Sequence, residues 1–457
     1  MRSGNIVIRN GRVIDPSQAI DEIADLVIED GKIAAIGSRV VDGTGAAKSG
    51  KLRSGAEVLE IDATGKILCP GLVDMHVHLR EPGNEDEETI ASGSAAAVAG
   101  GFTSIACMPN TMPAIDNEAV VEFVLRQAGR AGLCNVYPVG AITKGREGKE
   151  LAEMGQMVRA GAVAFSDDGR GVANPNTMLR AMQYARMFDK LLIQHCEDPD
   201  LAGDGCMNAG LTATRLGLPG IPALAEEVML QRDILLAETT GAAYHAAHIS
   251  TAGAVELVRR AKQRGIRVTA EVCPHHLLLT EEAVADFDTN YKMNPPLRRQ
   301  ADVDACRVGV ADGTIDCLVT DHAPHGADEK AFDFQAAPFG IVGLEIALPL
   351  FAQALVHAGL ISWPQLVERM STIPAQLLGI KKGTLRGGED GDVTIIDPAE
   401  TWVITPDRFC SRSRNTPFGS QKVTGRVTQT IVGGHVKFDV SSGVNYASDA
   451  MATMMVA

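Results

Sequence analysis

The chain has 457 residues, of which 45% are hydrophobic and 22% charged, and its formal net charge is −15. That length and apolar content suffice for one large barrel plus a smaller accessory unit. The negative balance argues against a nucleic-acid surface, and it means that an anionic substrate must be gripped by local cations rather than drawn in by the overall field. The opening residues Met-Arg-Ser-Gly-Asn-Ile-Val-Ile-Arg lack the apolar core of a secretory signal, and no apolar run is long enough to span a bilayer, so a cytoplasmic location is expected.

In chain order, residues 5–15, 24–33 and 57–62 read as short strands, with Asn10-Gly11 and Asp30-Gly31 as hairpin turns. Residues 40–56, rich in Gly, Ala, Ser and Lys, read as an exposed loop. Eight apolar, strand-like runs follow, at residues 67–78, 103–108, 135–139, 162–168, 191–195, 243–248, 267–273 and 315–321. Helical patterns fill the gaps, for example residues 116–130, and 251–264 with Ser250 as N-cap and Gly265 past the end. Residues 392–397, 402–405 and 428–438 return to short strands. Eight strands alternating with helices predict an α/β fold, a (β/α)8 barrel, although the count alone also admits a doubly wound open sheet. The two β-rich ends are expected to pair into one small β-sandwich. The expected boundaries are residues 1–66 for its N-terminal part, 67–384 for the barrel, and 385–457 for its C-terminal part and tail.

The densest chemistry lies in the first barrel run. If residues 71–80 form a strand, Asp74, His76, His78 and Arg80 share one face and Val73, Met75, Val77 and Leu79 the other. Two neutral imidazoles backed by a carboxylate suit zinc, and a fixed cation beyond them suits an anionic substrate. The bland alternatives are a buried strand with satisfied histidines and, for Arg80, a rim salt bridge to Glu81 or Glu85. Nine of the eleven histidines weigh against the first: His76, His78, His195, His245, His248, His275, His276, His322 and His325 all lie at or just after the C-terminal ends of the predicted runs. Barrel active sites are built at that face. His195, His248 and Asp321 each end a run, and four histidines with one aspartate exceed the needs of a single zinc. A second metal would call for a bridging anion. Asp167 and Asp168 follow the fourth run, where alternation points them to opposite faces and does not select between them. The nine cysteines form no Cys-x-x-Cys pair, and Cys69, Cys107, Cys134, Cys196, Cys273 and Cys317 read as small buried hydrophobes.

Asp74-x-His76-x-His78 with His195, His248 and Asp321 on a predicted barrel resembles the amidohydrolase superfamily of metallo-dependent hydrolases. Within it, His78-Leu-Arg-Glu-Pro-Gly, Met108-Pro-Asn-Thr, Phe165-Ser-Asp-Asp-Gly, Cys273-Pro-His-His, Lys292-Met-Asn-Pro-Pro-Leu-Arg, Thr320-Asp-His-Ala-Pro-His and Pro338-Phe-Gly resemble bacterial dihydroorotases of the hydantoinase-like type, over nearly the whole chain. The resemblance implies one or two zinc ions per chain, with His76 and His78 on one, His195 and His248 on the other, Asp168 bridging, and Asp321 as ligand and proton carrier. The carboxylated lysine that often bridges the metals on strand four of the wider superfamily has no counterpart here, and Lys144 and Lys149 read as surface groups. The implied reaction is the reversible cyclisation of N-carbamoyl-L-aspartate to dihydroorotate, in pyrimidine synthesis. His78, Arg80, Asn110, Asn294, His325 and the backbone of Phe339 and Gly340 are the implied substrate contacts. Residues 326–343 are either a closing loop or a static one. His245, His275, His276 and His322 either brace metal ligands or are ordinary core groups. The alternatives are another cyclic-amide hydrolase, such as a dihydropyrimidinase or allantoinase, and a catalytically silent subunit supporting an aspartate transcarbamoylase. Expected protein partners are that transcarbamoylase and a second copy of the chain.

Overall fold

The computed structural model describes residues 5–37 and 58–446, so the loop expected at residues 40–56 lies outside the described residues. Both ends of the chain build one mixed sheet. Asn5–Asp15 pairs antiparallel with Ile20–Glu29 and parallel with Val58–Asp62 and Ile67–Pro70. Ile67–Pro70 then pairs antiparallel with Val393–Val403, which pairs with Lys422–Val432. Ile8, Leu26, Ile28, Leu68, Ile395 and Ile431 pack together beneath this sheet, so its core draws on both ends of the chain.

Two turn readings divide here. Asp30 and Gly31 both have positive φ and join Glu29 to Lys32 as a two-residue hairpin, as expected. Asn10-Gly11 is instead a register shift inside one continuous strand, with the Asn10 amide donating to Asp25. The single run expected at 428–438 is likewise two strands, Lys422–Val432 and His435–Asp439, joined through Gly433 and Gly434.

The expected run 67–78 also divides. It breaks at Gly71, after which Leu72–Val77 leaves the mixed sheet and becomes the first barrel strand. A Cβ at Gly71 would lie 2.0 Å from Thr103 Oγ1, so only glycine lets the chain cross this closely between the two sheets. The barrel continues with Phe102–Cys107, Asn135–Gly140, Ala164–Ser166, Leu191–Gln194, Tyr244–Ala246, Val268–Val272 and Cys317–Leu318, paired in that order. A parallel bridge between Val77 and His322, with the His78 amide donating to the His322 carbonyl at 2.9 Å, joins the last strand to the first. That closure decides for a barrel over an open doubly wound sheet.

Val73, Met75, Ala106, Val139, Ile193 and Val319 fill the interior, over a floor of Ala375 and Leu378. The helices cover the outside. Glu118–Ala131 is capped by Asn117 and ends at Gly132, and it turns Val121, Val124 and Ala128 inward at helical spacing. Each fully buried valine there is worth about 1.5–3 kcal/mol. In Ala252–Gln263 the N-cap is Thr251 rather than Ser250, whose amide and hydroxyl are taken by Glu226. Among the described residues no helix is long and apolar enough to cross a membrane.

Candidate metal centre

The strand that carries the first two histidines is less regular than its alternation suggests. Its register shifts between Asp74 and Val77, so Val73 and Met75 pack inside the barrel while Val77 and Leu79 join the outer shell. The expected four-residue comb therefore does not form. His76 lies near the strand's end, His78 just beyond it, and Arg80 further out with φ 59°. His248 and Asp321 also have positive φ, 29° and 48°. Three non-glycine residues in this costly region persist only where their surroundings over-determine them. Asp74 supplies part of that bracing. It does not back the imidazoles as expected but accepts from the Thr320 amide at 3.1 Å and hydroxyl at 2.6 Å, fixing the residue before Asp321.

The donors converge at the mouth. His76 Nε2 lies 3.4 Å from Asp168 Oδ1 and 3.5 Å from Asp321 Oδ1. His78 Nε2 lies 2.9 Å from Asp321 Oδ1 and 3.6 Å from Asp168 Oδ2. His248 Nε2 is 3.6 Å from Asp168 Oδ1 and 3.0 Å from His195 Nδ1, itself 3.9 Å from Asp168 Oδ1. All six side chains are buried. The choice between Asp167 and Asp168 is visible here. Asp167 turns away to accept from the Ile142 and Thr143 amides at 2.8 and 3.0 Å and from the Thr143 hydroxyl. Asp168 faces the histidines, its own carbonyl held by Arg146 at 2.9 Å.

The carboxylate behind His76 is Glu271, which the sequence reading missed. His76 Nδ1 donates to Glu271 Oε1 at 2.5 Å, while His245 Nε2 meets Oε2 at 3.1 Å and the His248 amide meets Oε1 at 3.3 Å. Burial opposes the Glu271 charge, but His76 and His245 overcome it and hold the carboxyl far below its usual range. A signal was available, since Glu271 stands in the apolar strand Val268–Val272 and a charge there demands a partner. Of the histidines left unassigned, His245 thus braces a brace. His322 likewise sits between Glu88, at 3.2 Å, and the Gly343 amide. His276 Nε2 donates to the Pro295 carbonyl at 2.8 Å, and burial pushes His275 down to about 4.

The expected substrate residues differ in their surroundings. Asn110 Oδ1 accepts from His78 Nδ1 at 2.8 Å. Asn294 Oδ1 is buried without a hydrogen-bond partner among the described residues. His325 Nε2 donates to the Phe339 carbonyl at 2.9 Å, and the Gly340 amide donates to the Lys292 carbonyl at 3.0 Å, so these two backbone groups already have partners within the chain. Arg80 meets neither Glu81 nor Glu85. Its Nε lies 3.1 Å from both Glu87 Oε2 and the Pro324 carbonyl, and Nη2 is 3.3 Å from His325 Nε2. Residues 326–343 are pinned from below, because Lys292 Nζ donates to the Gln335 and Ala337 carbonyls and Lys330 Nζ to those of Thr289 and Pro338. Lys144 and Lys149 are exposed and pair with Glu150 and Glu147. The six cysteines read as buried hydrophobes are buried thiols.

This donor set fits a metal. Glu271 can only accept, so His76 Nδ1 carries the proton; Asn110 Oδ1 places His78 in the same state. Neutral rings then aim their Nε2 lone pairs at two carboxylates, an arrangement that repels unless a cation or proton lies between. His76 Nε2 and Asp168 Oδ1 are buried without hydrogen-bond partners among the described residues. Ligands about 2.0–2.2 Å from a tetrahedral zinc stand roughly 3.4 Å apart, close to the separations seen here. Burial lowers His76, but Glu271, Asp168 and Asp321 raise it well above the ordinary imidazole range.

A family model described as dihydro-orotase-like matches residues 65–254. Curated relatives described as dihydroorotases include one from Pelobacter propionicus, 52% identical over 95% of this chain and 99% of its own length, and one from Pelotomaculum thermopropionicum, 54% identical over 94% and 98%. Among solved structures, the L-hydantoinase (dihydropyrimidinase) from Arthrobacter aurescens is 26% identical with a TM-score of 0.81, covering 97% of both chains. The dihydropyrimidinase from Brevibacillus agri, 24% identical with a TM-score of 0.82 over the same share, agrees in fold.

Proposed function

Because this chain belongs to the dihydroorotase family, we propose that its barrel mouth interconverts N-carbamoyl-L-aspartate and dihydroorotate by metal-dependent closing and opening of a cyclic amide, with the following residues in the following roles. His76, His78 and Asp321 would hold one zinc and His195 and His248 a second, with the Asp168 carboxylate facing all four histidines. When bound, zinc supplies a Lewis acid for the ring carbonyl and lowers the pKa of a bound water to about 7.

The chain's own residues do the rest. Asp321 takes the proton of the attacking water and delivers it to the ring nitrogen as the C–N bond breaks. In ring closure it takes the proton from the carbamoyl nitrogen and returns it to the departing oxygen. Burial opposes its charge, yet His76, His78 and His248 keep it below the ordinary carboxylate range. Arg80 takes the substrate's α-carboxylate, its planar fork setting the orientation, with His325 and Asn294 as the neighbouring substrate contacts. Asn110 serves from behind, fixing the tautomer of His78.

The observation that carries this reading is the convergence of four imidazoles and two carboxylates, buried, at separations that a shared cation would fit. The test is ring closure of N-carbamoyl-L-aspartate by zinc-replete protein with and without chelator. Chelator should abolish turnover, and zinc should restore it. Faster opening of an uncharged dihydropyrimidine than of dihydroorotate would replace the proposed substrate with that of a dihydropyrimidinase. A second copy of the chain and an aspartate transcarbamoylase subunit are the protein partners this reading carries, and the sedimented mass with and without the transcarbamoylase tests both.

A further inference from the structure

We propose that Glu87 is an internal competitor for the substrate: its carboxylate occupies Arg80 beside His325, and the substrate carboxylate binds by displacing it. This rests on the assignment of Arg80 to that carboxylate, and it names a specificity-determining residue outside the metal centre.

Glu87 is buried, with Oε2 3.1 Å from Arg80 Nε and 3.5 Å from His325 Nδ1. The two oxygens differ in how they are held. Oε1 accepts from Asn84 Nδ2 at 3.0 Å, whereas Oε2 has no aligned hydrogen bond among the described residues. One oxygen is tethered and the other merely rests on a cation. His325 cannot improve that contact. Its Nε2–H is committed to the Phe339 carbonyl at 2.9 Å, so a neutral ring turns the Nδ1 lone pair toward Glu87 and toward Glu329 Oε2 at 3.4 Å. Two carboxylates and a lone pair share this corner with one guanidinium. A substrate carboxylate arriving there would be a third anion, so it gains most when Glu87 yields.

The protonation of Glu87 points the same way. The charged or titratable groups facing it are Arg80, His325, Glu329 and Asp86. Burial, helped by Glu329 and Asp86 and opposed by Arg80, pushes it up to about 7. Below that pH it is neutral and releases Arg80; above it, the anion competes.

The experiment compares wild-type protein with Glu87→Gln, which keeps the shape and the Asn84 contact but drops the charge. At pH 8 the KM for N-carbamoyl-L-aspartate should fall by about 2- to 5-fold, the scale of one partly shielded ion pair, with kcat within about twofold. Competitive inhibition by succinate should tighten in parallel. The rise of KM between pH 6 and pH 8 in the wild type should flatten in the variant. An unchanged KM overturns the proposal, and a higher KM would show that Glu87 orients Arg80 rather than competes for it. If the Gln variant melts early, Glu87→Asp, shorter by one methylene, should still lower KM at pH 8 by about 2-fold. Absence of wild-type turnover on this substrate would instead refute the functional assignment itself.

Discussion

Replacing Glu271 by Gln isolates the contribution of the carboxylate behind His76. The variant keeps volume and one accepting oxygen for His76 Nδ1, now at 2.5 Å from Glu271 Oε1. The new amide would meet His245 Nε2, at present 3.1 Å from Oε2, and His245 can adapt by moving its proton to Nδ1 and donating to Thr269 Oγ1 at 2.7 Å. Packing is therefore preserved and charge is what changes. A charge-assisted hydrogen bond contributes about 1.5–3 kcal/mol and a neutral one about 0.5–1.5, a difference of roughly 1–2 kcal/mol, or about 5- to 30-fold. Loss of outer partners of metal ligands generally costs about 10- to 100-fold in metal affinity, which overlaps that range. The assay is competition for zinc against a chelator of known affinity, read as the free-metal concentration at half occupancy. An affinity within twofold of wild type would refute the view that Glu271 raises the basicity of His76.

Other expectations follow from neighbouring contacts. Asp167→Ala strips the acceptor from two buried amides and should lower stability by about 2–4 kcal/mol while leaving metal content intact in the cold; Asp168→Ala should do the reverse, and metal analysis beside a thermal melt separates them. Because His76 is raised well above its ordinary value in the metal-free protein, a metal must evict its proton, so zinc affinity should fall by up to about tenfold per pH unit below that value. Chelator competition at pH 6 and pH 8 reads this, and equal affinities would contradict it. The same raised value means that the metal-free protein holds the stabilisation from His76 below the ordinary imidazole range and loses it as pH climbs through the raised value, whereas the loaded protein gains with pH. Arg80→Lys removes the fork that reaches Pro324, Glu87 and the corner of His325, and KM should rise about tenfold or more while kcat changes little; an unchanged KM would remove Arg80 from the substrate's side.

The barrel was legible because its strands are short apolar runs spaced by helices, and its mouth because histidines gather at the ends of those runs. Strict alternation carried the reading of residues 71–80 too far. It has no way to register a shift between Asp74 and Val77, which arises in the pairing with the neighbouring strand, or the left-handed turn at Arg80 beyond the strand's end. Adjacency points Asp74 to the imidazoles, yet its Oδ1 accepts only from the His76 backbone amide and its Oδ2 reaches Thr320, 246 positions away. Glu271 was overlooked for the opposite reason, since its partner His76 is 195 positions distant. Asn10-Gly11 has hairpin chemistry, but the left-handed Asn10 serves equally well within a bulge, and only the continuation of pairing to Asp15 distinguishes the two.

The bridge between Val77 and His322 has a mechanical meaning as well. It is where the first and last strands meet, and His78 and Asp321, 243 positions apart, flank it on the two sides. A cation shared by those two side chains would rivet the seam of the barrel, closing with one bond set a loop that is entropically costly to hold. Cofactor loading would then act as a hoop on the whole stave assembly, and stripping the metal should let amide exchange spread first from that seam, around residues 72–79 and 317–323, before it reaches the opposite wall.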